Sequence, residues 1–497
     1  MRTGAGHGGS TVEYVLGIDV GTSGTKSALF TRDGKLVDLA YQSYRIDYPG
    51  EGRAEQETGD WWNGLVQTAG LVVRRNDAGD GVAALSLSTQ GGCTVLMDGS
   101  FTPVYPAISW MDRRAGEVSL QLQEEIGVDE LYRVCGWSVV DSLCFPTLYW
   151  FRKKRPRVLD GVRYFGSTID YLNYRLTGRF AIDYTNLALT GFLDLENRGH
   201  SDRTLAIVGL ARKNLSEIVP SGAVIGRIRE DAARLLGLSR RPVVVSGAHD
   251  RYCESIGAGA VGPGDCVLGA GTSWVLLAIS DGLLFGDTGT DGGFIRSIFP
   301  GIHPVENRFG LMTVVPYGGN SLKWFRDVMR PGCPFEKLNE DASKIPAGSD
   351  GLLFFPISSS ARGKGGFLNV DAVHTMGHFT RAVFEGVALM NRAHFDLFGE
   401  VGAGVKSLTM IGGGAAGVLW PRIVADVCGV SVRVPESREA ACAGAGVLAA
   451  FGGGLADSIE EGSRLFAGPG ETVRPEPDET RLYGDLYENY MHMIGRI

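Results

Sequence analysis

An apolar run, a Gly-Thr-Ser turn and a second apolar run occur twice in this chain, about half its length apart. The first copy runs from Tyr14 through Ile18-Asp19-Val20-Gly21-Thr22-Ser23-Gly24-Thr25-Lys26 to Phe30. The second runs from Asp265 through Gly269-Ala270-Gly271-Thr272-Ser273 to Leu277. Such a turn between two strands aims backbone N–H groups and hydroxyls at one point, and glycine lets an anion approach closely. One copy reads equally well as an ordinary hairpin of turn-favouring residues. Two copies predict two homologous lobes, each presenting a phosphate cradle. Asp19 lies two residues before Gly21. A bare carboxylate there would repel phosphate, so it makes sense only if a divalent cation bridges them. No G-x-x-x-x-G-K-[ST] run is present, so the cradle is not a P-loop.

The rest of the chain reads as alternating α/β architecture. A hairpin turn at Arg32-Asp33-Gly34-Lys35 leads to a third strand, Leu36 to Tyr44. A helix from about Asp60 to Arg75 and a buried strand from Val82 to Ser88 follow. Residues 115–238 read as mainly helical, and the pattern restarts at Arg241-Pro242 with Val243 to Val245. Asp250 then opens a small-residue helix. A length of 497 residues suits two or three domains, and the restart sets the expected lobes at 13–245 and 246–497. The 72 glycines mean many places where backbone approaches something closely. With 48 Lys+Arg against 56 Asp+Glu, the chain carries no electrostatic footprint for nucleic acid or an anionic membrane. No apolar run reaches the length of a membrane span, and the polar, Gly-rich first ten residues read as a frayed terminus rather than a signal peptide. Eight cysteines without a C-x-x-C pair are expected to be reduced, in a cytoplasmic protein.

A third glycine-rich turn, Gly412-Gly413-Gly414-Ala415-Ala416-Gly417, lies after the strand Ser407 to Ile411 and before a helix from Val418 to Cys428. It fits G-x-G-x-x-G, with Glu436 beyond the next strand, and so supports an NAD(P)-dependent oxidoreductase as an alternative. That reading leaves the two Gly-Thr-Ser turns without a role. A second match, Gly257 to Gly262, reads as small-residue packing. His374 and His378 have helical spacing but no H-E-x-x-H, and the basic run Arg152 to Arg157 reads as solvated surface. No G-x-S-x-G elbow exists, which argues against a serine hydrolase.

Taken in order, these segments resemble the FGGY carbohydrate kinases. Ile18 to Lys26 is similar to the first phosphate motif of that family, and Gly271-Thr272-Ser273 to the second. Glu55-Gln56 with Asp60-Trp61-Trp62, Trp110-Met111-Asp112-Arg113-Arg114, Asp170 to Gly178 and Ser201-Asp202 have their counterparts. Val245 to Asp250 resembles the segment ending in the catalytic aspartate, Gly318 to Asp327 the G-x-x-x-x-W-x-R-D helix, and Arg381 to Ala388 the R-A-V-x-E-G-V-A helix. Gly412 to Ala415 resembles the adenosine motif, which accounts for the dinucleotide-like pattern. The resemblance implies a two-lobed, actin-like (ribonuclease H-like) α/β fold with ATP in the cleft between lobes. It implies an ATP- and Mg2+-dependent kinase acting on a sugar or polyol hydroxyl, with a homodimer the expected assembly. A catalytically inactive, sugar-sensing member of the same fold is the other alternative.

Residue by residue, the resemblance implies Asp250 as general base and Asp19 as the orienter of Mg2+ through water. Asp250 stands between a strand and a helix start, where terminal N–H groups favour a carboxylate; a plain N-cap would look the same. Thr22, Thr25, Lys26 and Thr272 would hold phosphates, with Gly21, Ser23, Gly271, Ser273 and Lys323 also in the ATP site. Gly319, Gly413, Gly414 and Ala415 would line the adenosine end. Gln90, Gly91, Gly92, Trp110, Asp112, Arg114, Asp250 and Arg251 would surround the substrate. The match thins at Gly91-Gly92, where xylulokinases carry Met-His and glycerol kinase Arg-Glu. Two glycines there predict a roomier pocket. Arg251 stands where a short polar residue is common; it would meet the substrate or neutralise Asp250. Pro356 to Arg362 departs from the family's Pro-Tyr-Leu-x-Gly-Glu-Arg stretch, and Val418 replaces a polar position near the adenine.

Overall fold

The computed structural model describes residues 13–287, 290–291, 294–295, 297–357 and 364–494. The first ten residues and most of the departing stretch, Ser358 to Arg362, lie outside the described residues. Two sheets organise the chain. The first contains β1 (Tyr14–Val20), β2 (Gly24–Thr31) and β3 (Leu36–Ser43). It continues, after helix α1 (Thr58–Arg75), with β4 (Val82–Thr89), β5 (Val224–Arg227) and β6 (Val243–His249). Its order is β5-β6-β4-β1-β2-β3. Helix α2 (Asp250–Gly257) leads out of it into β7 (Asp265–Ala270), β8 (Trp274–Ser280), β9 (Phe299–Ile302) and β10 (Phe309–Val315). After helices α3 (Gly318–Met329) and α4 (Met376–Glu400) come β11 (Ser407–Ile411), α5 (Leu419–Cys428), β12 (Val432–Pro435), α6 (Ala440–Gly452) and β13 (Gly470–Val473). The second sheet runs β9-β10-β8-β7-β11-β12-β13.

The repetition read in the sequence is a repetition of topology. β1 pairs antiparallel with β2 and parallel with β4, just as β7 pairs antiparallel with β8 and parallel with β11. β1, β4, β7 and β11 are buried almost throughout, as strands covered on both faces must be. The Gly-Thr-Ser turns cap the equivalent β1–β2 and β7–β8 hairpins. A lobe boundary at residue 245 would cut β6, whose seven residues belong to the first sheet. Residues 115–238 hold the expected helices, but short strand pairs such as Leu193–Asp194 with Gly199–His200 interrupt them.

Most of the buried apolar residues fall into one large cluster in each half and a third between them. That third cluster joins Val15, Ala28 and Val245 to Leu277, Met312, Cys442 and Val447. Its geometry depends on absent side chains. A Cβ on Gly257 would lie 1.9 Å from the Ala440 carbonyl oxygen, and one on Gly444 1.9 Å from that of Cys253. A Cβ on Gly17 would lie 2.0 Å from the Cys442 carbonyl oxygen. Helices α2 and α6 thus touch backbone to backbone. Gly257 belongs to packing, as its sequence context indicated.

Candidate active site

The first turn is closed by a hydrogen bond from the Gly21 N–H to the Gly24 carbonyl, 3.0 Å. Its Thr22 hydroxyl accepts from the Trp110 indole at 3.0 Å, and its Thr22 carbonyl accepts from Gln56 Nε2 at 2.8 Å. Gln56 Oε1 in turn accepts from Gln90 Nε2 at 3.0 Å, so a short chain of bonds ties the turn to the loop after β4. Thr22 and Ser23 are open to the cleft, but Thr25 is buried. It packs beneath α1, where a Cβ on Gly64 would meet its hydroxyl at 2.9 Å. Its expected phosphate contact is therefore corrected to a packing role. Lys26 Nζ is paired at 2.6 Å with Glu439, the residue that caps α6. The cation expected on phosphate instead ties β2 to the second half of the chain.

The second turn, Gly271 to Ser273, is exposed and seats the start of α3. The Gly319 N–H donates to the Gly271 carbonyl at 3.1 Å and the Asn320 N–H to the Thr272 carbonyl at 3.0 Å. Gly319 is needed there because a Cβ would lie 2.3 Å from the Gly271 oxygen. Lys323, further along the helix, is exposed and paired with Asp327 at 2.9 Å. Gly412 leaves β11 with φ +87°. Gly414 packs against Ala270 of β7, whereas a Cβ on Gly413 would meet nothing within 4 Å. Ala415 and Gly417 line a cavity of about 330 Å³ with Pro421, Pro435, Glu436 and Arg438. Val418 at its edge is 86% exposed. The turn Gly413–Ala416 is a short 3-10 segment, and α5 begins only at Leu419.

Asp250 is the first residue of α2, at the end of β6, so it is within the helix and His249 is its N-cap. One oxygen, Oδ1, is engaged by His249 Nε2 at 3.0 Å and by Arg251 Nε at 3.2 Å. Arg251 Nη1 reaches Glu254 at 2.6 Å. Burial pushes the Asp250 carboxyl up, but Arg251 and His249 outweigh it and hold the group below the usual carboxylate range. Burial raises Glu254 to about 7, against the pull of Arg251. Burial likewise raises Asp19 to about 6, opposed by the Ser88 hydroxyl at 2.7 Å and reinforced by the charge on Asp250. Asp19, Asp250 and Glu254 thus form a field of carboxylates under the charges of Arg251 and Lys26. A buried hard-oxygen ligand short of positive charge fits Mg2+, which takes one or two carboxylates and completes its shell with phosphate and water.

The sugar side differs from expectation. A Cβ on Gly91 would lie 2.0 Å from Leu189 Cδ1 and 2.8 Å from His249 Cδ2. Gly92 has φ +72°, and a Cβ there would press on Trp110 Cβ at 3.1 Å. The two glycines are therefore packed against neighbours, and the predicted roomier pocket is corrected: the His249 ring and Leu189 fill the space. Asp112 and Arg114 do not reach outward either. Arg114 is bound to Asp112 and Glu55, its guanidinium lies 5.4 Å from the Trp150 ring, and Asp112 also accepts from the Ala54 N–H at 2.7 Å. Both side chains are 2% exposed, so their expected substrate contact is corrected to bracing the segment that carries Trp110. Gln90 is buried and Trp110 39% exposed. Sequence reading assigned no role to His249, Glu254 or Glu439. Glu254 lies one helical turn beyond Asp250 and Arg251, a spacing that places all three together; nothing local signals Glu439.

Two lobes of repeated topology, each presenting a phosphate-sized turn toward a buried carboxylate cluster, define an actin-like phosphotransferase. The N-terminal domain of the FGGY family of carbohydrate kinases matches residues 14–257, and its C-terminal domain residues 303–453. The chain belongs to that family. It is 28% identical to a xylulose kinase of Bacillus subtilis over 490 residues, covering 97% of each chain. It is 26% identical to a gluconokinase of the same organism over 507 residues, covering 97% of this chain and 95% of the other. A xylulose kinase structure from Lactobacillus acidophilus superposes with a TM-score of 0.91 at 23% identity, covering 97% of this chain and 98% of that one. The protein is an ATP-dependent carbohydrate kinase, and the oxidoreductase and sugar-sensing alternatives fall away.

Proposed function

We propose that Asp250 is the general base that activates a sugar hydroxyl for attack on the γ-phosphate of ATP. The observation that carries this reading is the double engagement of Asp250 Oδ1, which leaves the second carboxylate oxygen as the proton acceptor. The hydroxyl proton passes to that oxygen as the new O–P bond forms, and the bond to ADP breaks with its electrons on the leaving phosphate. The turn Gly21 to Ser23 and the turn Gly271 to Ser273 bracket the phosphates with backbone N–H groups and hydroxyls. Gly413 and Ala415 line the adenosine end. Mg2+, when bound, supplies charge neutralisation of the phosphates, and Asp19 would hold it. Trp110 and Gln90 form the wall nearest the sugar. The relatives act on xylulose and gluconate, so the substrate lies among five- and six-carbon sugars, polyols and sugar acids. This reading places the protein in the cytoplasm, where ATP is held, and as a homodimer, which light scattering checks. Among the described residues no helix is long and apolar enough to cross a membrane.

The test is coupled ADP release over a panel of such substrates, with Asp250→Asn beside the wild type. Loss of a general base typically lowers rate by about 10²–10⁴. Asp250→Asn keeps the fold and ATP binding while losing turnover on that scale. Near-wild-type turnover would remove Asp250 from the role.

A further inference from the structure

Every carbonyl of the turn Gly21 to Ser23 is met by a donor from within the protein. The Gly21 carbonyl accepts from the Tyr44 hydroxyl, and the Thr22 carbonyl from Gln56 Nε2 at 2.8 Å. The Ser23 carbonyl accepts from the Tyr44 N–H at 3.1 Å and from the Tyr41 hydroxyl at 3.3 Å. The Thr22 hydroxyl accepts from the Trp110 indole at 3.0 Å. Among the described residues, no acceptor meets the N–H of Thr22, the N–H of Ser23 or the hydroxyl hydrogen of Thr22. Thr22 is half-buried and Ser23 exposed. The carbonyls are therefore spent inside the protein, and what the turn has left to give is donors.

Trp110 decides which way the Thr22 hydroxyl works. An indole N–H can donate but never accept. By filling a lone pair of Thr22 Oγ1, it leaves that hydroxyl its own hydrogen to give. The segment that carries Trp110 is itself held in place. Asp112 accepts from the Ala54 N–H at 2.7 Å and binds the buried Arg114, and the Ser109 N–H donates to the Ala54 carbonyl at 2.9 Å. Gly92 lies against it, since a Cβ there would fall 3.1 Å from Trp110 Cβ. Resting on the reading above, in which this turn takes the phosphates of ATP, we propose that Trp110 is a positioning residue for phosphoryl transfer. Its N–H sets the Thr22 hydroxyl as a donor to a phosphate oxygen, while its ring, 39% exposed, remains the wall of the sugar site. One side chain thus joins the two substrate sites, and its part in holding the nucleotide does not need the sugar.

The test is a double-mutant cycle read by calorimetric binding of AMP-PNP with Mg2+, with no sugar present. Leaving the sugar out keeps any damage to the sugar wall out of the measurement. Trp110→Phe keeps an aromatic ring and removes the N–H, and Thr22→Val keeps the shape and removes the hydroxyl. Each alone is expected to weaken binding by about three- to tenfold. The double variant is expected to bind no more weakly than Thr22→Val, because the indole N–H acts only through the hydroxyl. Thr22→Ser, which keeps the hydroxyl, should bind like the wild type and still lose affinity with Trp110→Phe. Losses that multiply in the double variant would overturn the proposal, and so would wild-type binding by Trp110→Phe. Wild-type binding by Thr22→Val is a different failure. It would take the phosphate off this hydroxyl, and the proposal would fall with the phosphate-turn reading on which it rests.

Discussion

Arg251 shows how one charge can carry two readings. The sequence left it either on the substrate or neutralising Asp250, the proposed base, and its guanidinium bridges Asp250 and Glu254. Its work is to keep Asp250 ionised. Burial alone would raise that carboxyl, and Arg251 is the leading influence that pulls it back. The base must be unprotonated, so activity falls as pH drops through its pKa. With Arg251→Gln that acid limb moves upward toward neutrality while sugar KM changes little. A pH–rate profile on the preferred substrate checks this, and an unmoved limb with a tenfold higher KM would return Arg251 to the substrate. Asp19 gives a prediction of opposite sign. Its folded pKa, about 6, exceeds the unfolded 3.8, so the native state binds its proton more tightly. That contribution to stability is present below the unfolded value and is lost as pH rises through about 6. By linkage the charged Asp19 then costs the ligand-free protein about 2–3 kcal/mol at neutral pH. Asp19→Asn should therefore raise the melting temperature at pH 7.5 but not at pH 4, while turnover is lost. Thermal unfolding of both proteins at the two pH values decides it.

Among the elements, α3 is the one whose position most directly sets the second turn, the proposed phosphate site. Its first amides hold the carbonyls of the Gly271–Ser273 turn, and Gly319 allows the approach. Gly319→Ala must push the helix away from that turn, because the obstructing atom is backbone. The expected result is an ATP KM raised about tenfold or more with sugar KM unmoved, whereas Lys323→Ala on the exposed face should change neither. Both outcomes are read from initial rates. The Gly-Thr-Ser turns, the strand that ends at Asp250 and the glycine-rich turn from Gly412 to Gly417 were legible as structure because each is a local pattern of strand, turn and strand or helix. Gly91, Gly92, Thr25, Asp112 and Arg114 were not. Whether a residue faces a cleft or a neighbour depends on partners distant in sequence, such as Leu189 for Gly91 and Glu55 for Arg114. Lys26 was misjudged for the same reason, its partner Glu439 lying 413 residues away.

Across the whole molecule, the two halves are joined where α2 and α6 cross. Gly257 and Gly444 bring these helices into backbone contact, and the apolar cluster around them takes side chains from both sheets. α6 also lies against β1, β4 and β6, although its sequence follows β12 of the second sheet. Neither sheet can therefore lose its packing without exposing apolar surface of the other. Unfolding should be a single cooperative transition rather than two, despite the repeated topology. Gly444→Ala tests the crossing. Its Cβ would fall 1.9 Å from the Cys253 carbonyl oxygen, where only movement of a helix can relieve the contact. Overpacking of this kind typically costs about 1–3 kcal/mol, and here the obstruction is main chain on a helix already fixed by β6. The expected effect is a lower melting temperature with the single transition preserved, since both halves lean on the same seam. Calorimetry, with calorimetric and van't Hoff enthalpies compared, reads it directly. Two resolved transitions, one unmoved by the substitution, would show that the lobes are stable apart and that the crossing is only a tether.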